Sequence, residues 1–248
     1  MSSHPYADER IADYLEKNGY HPRSNKHGAA LCDFFLDDLL YTSNMLCQAG
    51  KEGNVVYRRD YVVGKGTQLE WNVDLVLGSP VTKPLAVPQE REIIEGEPKE
   101  IWMAVDAKSV MTEHGKARRN RQRDLNSFAS IMKHHYPRSV VGGMMLVNIA
   151  DRFKSPLRPE VTNHADIDRL VEETVQLFRE IPRNRKEDDM NIDGVAVIVV
   201  DHTNIPRDKT RLVSGFPAPQ AGDLTHYRLF LNLMKEAFEH RFKSSLGT

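Results

Sequence analysis

The sequence predicts an α/β protein in which a mixed β-sheet is flanked by helices. Two observations carry this. Strand-like and helix-like segments alternate through the second half of the chain, the order of a layered α/β architecture. The apolar runs at 140–149 and 194–200 are continuous rather than alternating, as in strands covered on both faces. With 248 residues and no internal repeat, the chain is read as one domain able to bury a sizeable core.

The elements follow in order. Residues 7–19 read as a short helix stopped by Gly19, and 21–26 as a loop around Pro22. Leu31, Phe35, Leu39 and Leu46 recur near helical spacing and predict one helix over 27–48, with Gly50 and Gly53 as stop signals. Residues 54–59 and 61–64 suggest a strand or hairpin arm. A partly alternating strand over 69–77 ends at Gly78, Ser79 and Pro80. The Pro- and Glu-rich stretch 79–99 reads as a loop or weak excursion. Residues 101–108 form an apolar strand with a charged end. Residues 112–135 form a helix with Leu125, Phe128, Ala129 and Met132 as its apolar stripe. After the strand at 140–149 come an amphipathic helix over 166–181, a charged loop over 183–191 and the strand at 194–200. A long Pro/Gly loop over 205–222 leads into a closing helix over 223–242, with Asp223 as its N-cap.

Lys plus Arg total 34 and Asp plus Glu 35, a net charge of −1. This balance excludes a grossly cationic tail protein and a highly acidic disordered chain. No apolar run approaches the ~20 residues that span a bilayer. The first ten residues lack the apolar core of an export signal. The expectation is a cytoplasmic protein with no membrane partner and with reduced thiols. Cys32 and Cys47, on one helix, would stand roughly 22 Å apart and could not bridge.

Asp74 on one strand and Asp106, Ala107 and Lys108 at the end of another form the informative constellation. Side chains alternate along a strand, so Asp106 and Lys108 face one way while Val105 and Ala107 point into the packing. On the Asp74 strand, Trp71, Val73, Leu75 and Leu77 are expected on one face, with Glu70, Asn72 and Asp74 on the other. If the strands pair, the two carboxylates converge. Hard oxygen ligands with open positions suit Mg²⁺, which keeps several waters and bridges to a substrate phosphate. Such a metal polarises a phosphoryl oxygen and acidifies a bound water. A neighbouring lysine can orient or deprotonate that water and stabilise developing charge. This is the chemistry of phosphodiester hydrolysis. The bland alternative is a solvated strand end with a weak ion pair. The spacing alone decides nothing, since Glu97, Pro98 and Lys99 repeat it within the Pro/Glu-rich stretch.

Eight Lys or Arg and two acids lie between Lys108 and Arg138, so this segment carries +6 and the rest of the chain −7. Lys116, Arg119 and Arg123 share a helix face, flanked by Arg118 and Arg121. Lys116, Arg118, Arg119 and Arg123 are the expected DNA-phosphate contacts. Read blandly, the same run is a solvated helix face.

Asp74 with Asp106, Ala107 and Lys108 in a strand–loop–strand–helix order resembles the PD-(D/E)xK nuclease superfamily. The stretch 105–128, with Met111, Thr112, Glu113 and His114 after the lysine and then a basic helix, resembles type II restriction-endonuclease-like proteins. Residues 217–227 resemble them loosely. The resemblance implies a restriction-endonuclease-like fold in a single nuclease domain, with a catalytic core over about 27–150 and a C-terminal strand, loop and helix over 194–243. It implies that Asp74 and Asp106 ligate Mg²⁺ with the Ala107 carbonyl, and that Lys108 positions the attacking water. Val73 stands where the superfamily motif has proline. A further acid from Asp33, Asp37, Asp38 or Glu70 is left open; without one, a one-metal site is expected. The implied partners are double-stranded DNA, a second copy of the chain in a homodimer and a cognate DNA methyltransferase. A repair or mobile-element nuclease of the same fold and a noncatalytic DNA-binding relative are the alternatives.

His114 could touch a phosphate or the attacking water, though a lone histidine is more often structural. His134 and His135 suit a helix C-terminus. Arg183, Asn184, Arg185 and Lys186, followed by Glu187, Asp188 and Asp189, read as a solvated loop. The 205–222 loop, with Arg207, Lys209 and Arg211, is long enough to reach DNA bases or a partner subunit. No phosphate-binding glycine loop and no nucleophile elbow is present in the sequence.

Overall fold

A computed structural model describes residues 4–84, 92–112, 114–184, 186 and 189–246. Glu113, Arg185, Glu187, Asp188 and the 85–91 part of the Pro/Glu-rich stretch lie outside them, and the His114 side chain is likewise not described. The chain runs α1 (Ala7–Asn18), α2 (Lys26–Thr42), α3 (Asn44–Lys51), β1 (Val56–Val63), β2 (Trp71–Pro80), β3 (Ile94–Glu95), β4 (Pro98–Val110), α4 (His114–His135), β5 (Val140–Asn148), β6 (Arg152–Lys154), β7 (Val161–Asn163), α5 (Ile167–Arg179), β8 (Gly194–Asp201), β9 (Arg211–Leu212) and α6 (Tyr227–Phe242).

Seven strands form one mixed sheet in the order β3-β1-β2-β4-β5-β8-β9, and β6 pairs with β7 apart from it. β2 is antiparallel to both β1 and β4, whereas β4, β5 and β8 run parallel. The parallel trio reads as apolar runs because helices cover both of its faces; every residue of β5 is buried. On one face Leu31, Phe35, Leu39, Phe230 and Met234 from α2 and α6 pack on Met103, Val105, Met144 and Ile198. On the other, Leu125, Phe128, Val171 and Phe178 from α4 and α5 pack on Ala104, Val141, Met145 and Val197. The α/β class and the mixed sheet are thus as the sequence predicts. Among the described residues no helix is long and apolar enough to cross a membrane.

Several expectations are corrected. The helix over 27–48 is two helices. At Ser43 the backbone is extended, and the Ser43 hydroxyl accepts from Leu46 N at 3.1 Å and donates to Glu239 at 2.6 Å, ending α2 and capping α3. Cys32 and Cys47 therefore sit on different helices, both as free thiols. β2 does not end at Leu77 but runs through Gly78 and Ser79 to Pro80, with register shifts against β4 at both steps. The stretch 79–99 contributes β3 and the start of β4. Asp223 is not the cap of α6. His226 is, accepting from Arg228 N, while Asp223 accepts from the Thr225 N–H and hydroxyl and pairs with Arg179. The β6–β7 hairpin has no counterpart in the sequence reading.

Candidate active site

β2 and β4 bring the acids together. The register that sets Leu75 opposite Val105 carries Asp74 to Asp106. The paired ladder ends at Leu75 and Val105, one position short of the two acids, and the Asp74 carboxylate takes the Ala107 N–H at 2.8 Å. The face assignment along β2 is corrected here. Trp71 and Val73 pack with the α4–α5 cluster, while Leu75 and Leu77 pack with the α2–α6 cluster. The alternation thus slips across Asp74, opposite Asp60, whose backbone is left-handed (φ 48°). A side chain at such a slip is freed from the pleat and can turn toward the next strand.

Asp106 is fully buried, with 0% exposure. The Lys108 ammonium lies 2.8 Å from both of its oxygens and donates to Oδ1, while Oδ2 has no hydrogen-bond partner among the described residues. Burial, reinforced by the Asp74 charge, pushes the Asp106 carboxyl up to about 8, against the pull of Lys108. Lys108 also lies 5.9 Å from the Trp71 ring centroid. The two acids and the lysine that the sequence singles out are therefore one cluster.

Asp74, Ala107 and Lys108 line an open cleft of about 320 Å³. Its other wall is the loop between α1 and α2 together with the first turn of α2. His27, absent from the sequence-based candidates, is the neighbour that reasoning missed. Its Nε2 lies 3.1 Å from Ser109 Oγ, which is 3.3 Å from the Tyr20 hydroxyl. Burial lowers the His27 imidazole to about 4, more than the Asp74 charge raises it, so it is neutral near pH 7. Tyr20 is held from afar. Its N–H and C=O both bond the Asn204 side chain, at 2.8 and 3.0 Å, and the same amide donates to Lys154 O at 2.7 Å. The start of the 205–222 loop is thus tied to the cleft wall, and further on β9 closes the sheet edge against β8.

None of the four proposed extra acids joins the cluster through a bond of its own. Asp33 pairs with Arg59 at 2.6 Å and Asp37 with Arg10 at 2.7 Å. Buried Asp38 accepts from the Tyr227 hydroxyl at 2.6 Å and from Ala7 N at 2.8 Å, a structural role, and also contacts His4. Glu70 accepts from Gly66 N at 2.8 Å. Among the described residues no group of three His, Cys, Asp or Glu gathers around one point.

The basic helix divides its residues. Arg118 is committed to α5, 2.6 Å from Glu173 and bonded to Leu170 O. Arg119 lines a groove shared with α5, and Lys116 and Arg123 are exposed. Arg121, which the sequence places only at the flank, lines the cleft itself.

Two carboxylates that repel each other, one with a buried oxygen that takes no hydrogen bond among the described residues, fit a hard divalent cation. Mg²⁺ asks for only one or two protein carboxylates, because it retains waters and takes oxygens from a substrate phosphate. The chain matches no protein-family model, no curated protein and no solved structure, which leaves the Asp74, Asp106 and Lys108 cleft as the basis of its functional assignment.

Proposed function

We propose that the chain is a Mg²⁺-dependent DNA endonuclease on a restriction-endonuclease-like fold, of the PD-(D/E)xK kind, and within that class a type II restriction endonuclease. One observation carries the reading: the two acids and the lysine named from the sequence gather at one point, Asp74 and Lys108 lining an open cleft and Asp106 buried behind them against Lys108. Asp74 and Asp106 would hold the metal, with the Ala107 carbonyl as a further oxygen. When bound, Mg²⁺ supplies Lewis-acid polarisation of the phosphoryl oxygen and lowers the pKa of water. The Ala107 N–H fixes Asp74 toward β4. Lys108 Nζ lies beside the Asp106 carboxylate, where it can orient the attacking water and neutralise charge building on phosphate. In the overall reaction water adds to phosphorus and one P–O bond of the backbone breaks. A two-fold dimer would cut both strands of a symmetric site, and a cognate methyltransferase would protect that site.

The test is digestion of mixed-sequence plasmid and phage DNA with Mg²⁺ and with EDTA. Discrete fragments with Mg²⁺ alone are expected. Intact DNA in both, with salt-sensitive binding retained, would replace the enzyme by a noncatalytic DNA-binding protein.

The raised Asp106 carboxyl adds a pH prediction. Metal binding requires the carboxylate, so below about 8 each Mg²⁺ bound should expel a proton. Affinity for Mg²⁺, measured calorimetrically without DNA, should rise by about tenfold per pH unit between pH 6 and 8 and then level off. A flat profile would contradict the prediction. For the metal-free protein the sign is opposite: the folded state holds this proton more tightly than the unfolded one, so stability falls as pH rises from 3.8 toward 8.

A further inference from the structure

Two cavities meet at His27 and Ser24. The first is the cleft that carries Asp74 and Lys108. The second, of about 370 Å³, lies across the α1–α2 loop and is lined by Tyr14, His21 and Lys26 among others. Together their linings hold four cations, Arg23, Lys26, Lys108 and Arg121, and a single acid, Asp74. Neither Arg23 nor Lys26 forms an ion pair among the described residues, and both are exposed. α2 opens into the same space with its first N–H bonded to the Ser24 hydroxyl at 3.2 Å and no acid in its first turn, so no negative charge offsets its positive end. The groove between α4 and α5 is different. Its arginines 118, 119 and 169 face Glu172, Glu173 and Glu180, an even balance.

We infer that the phosphodiester backbone of the nucleic acid runs along the α1–α2 loop, from Arg121 past Asp74 and His27 to Arg23 and Lys26, and that Arg23 and Lys26 are its phosphate contacts. The inference builds on the nuclease reading and relocates its binding surface away from the outer face of α4. A polyanion is drawn to cations that have no internal partner, because it releases its own counterions there. Arg118 spends its charge on Glu173 and Arg121 shares its own with Asp124, whereas Arg23 and Lys26 have no such competitor. Lys116 and Arg123, also without an ion pair among the described residues, do not line the cleft that holds Asp74. The neutral His27 imidazole and the Ser109 and Tyr20 hydroxyls sit between the cations as hydrogen-bonding groups along the path.

The experiment uses the full chain and a fluorescein-labelled 30-base-pair mixed-sequence duplex in EDTA, so that no cleavage occurs. Anisotropy titrations from 50 to 200 mM salt compare wild type with Arg23→Ala/Lys26→Ala and with Lys116→Ala/Arg123→Ala. Unchanged circular dichroism confirms folding, as expected for exposed side chains. The Arg23→Ala/Lys26→Ala protein should bind at least about tenfold more weakly at 50 mM salt, and the slope of log affinity against log salt should be shallower by about 1–2. A slope equal to that of wild type, or a loss confined to Lys116→Ala/Arg123→Ala, would overturn the inference. Wild-type binding without cleavage in Mg²⁺ would defeat the nuclease reading alone, and the slopes would still decide the path. Absence of binding by wild type would defeat both.

Discussion

Asp106→Asn is expected to lower Mg²⁺-dependent DNA cleavage by at least about 10²–10³-fold while leaving the fold intact, as judged by single-turnover rates and thermal unfolding. Asparagine keeps the shape of the side chain and an oxygen for Lys108, but removes the charge that a divalent cation needs. The fold should tolerate this, because burial already disfavours the charged form of Asp106. Without metal the variant should be at least as stable as wild type at pH 7. Lys108→Met should show a comparable rate loss for a different reason. Its loss strips a buried carboxylate of the cation 2.8 Å away, and pushes that carboxyl still further toward its neutral form. DNA binding in EDTA should survive both substitutions. Cleavage by Asp106→Asn within tenfold of wild type would remove Asp106 from the catalytic machinery.

The largest effect on stability is expected at Asp193, which lies just before β8. Its carboxylate accepts from Val141 N at 2.8 Å, from Asn184 at 2.9 Å and from Arg241 at 2.5 and 3.1 Å, with Lys133 Nζ at 3.4 Å. Lys133 is completely buried and Arg241 nearly so. Both also donate to Ser139 O, at 2.5 and 3.0 Å. One anion thus holds two buried cations and joins the end of α4, the start of β5 and the end of α6. Asp193→Ala removes the shared counter-charge of both buried cations, at a cost of about 3–5 kcal/mol. Urea or thermal unfolding should register it, with a melting temperature lower by roughly 2–4 °C per kcal/mol. Cleavage measured well below that temperature should be retained, since the knot does not line the cleft. A loss under about 1 kcal/mol would mean that the buried cations find other partners. Burial pushes the Asp193 carboxyl up, but the Arg241 hydrogen bond, the charges of Lys133 and Arg241 and the Asn184 bond outweigh it and hold it below its usual value. This support is present above 3.8 and is lost as pH falls through the depressed value.

What the sequence discloses and what it conceals divide along the range of the interactions. Continuous apolar runs mark β5 and β8 because burial on two faces is a local compositional fact. Asp74, Asp106 and Lys108 stand out because charges that interrupt apolar strands are costly without a purpose. The break at Ser43 is hidden because Leu39 and Leu46 keep helical spacing through it, and the hydroxyl that ends α2 is engaged by Glu239, far along the chain. His27 is hidden because it stands at the mouth of the site only once α2 docks on β4, with Gly28 against Ala107. For α4, helical spacing groups the arginines by angle but cannot say which angle faces α5. That packing takes Arg118 out of solvent and points Arg121 into the cleft. Asp193 reads as an ordinary loop acid, because Lys133 and Arg241 are distant in sequence.

The amide of Asn204 has a consequence for when the candidate site is completed. It fastens the Tyr20 backbone from 184 positions away. During synthesis the acids and the lysine emerge early, and His27 and Tyr20 can already reach Ser109, but the Tyr20 backbone lacks its Asn204 clasp until residue 204 has left the ribosome and β8 has docked. A nascent or truncated chain therefore carries Asp74, Asp106 and Lys108 without this support of the cleft wall. Under the proposed nuclease reading, this ordering would let the cell's own DNA meet only chains whose cleft wall is complete.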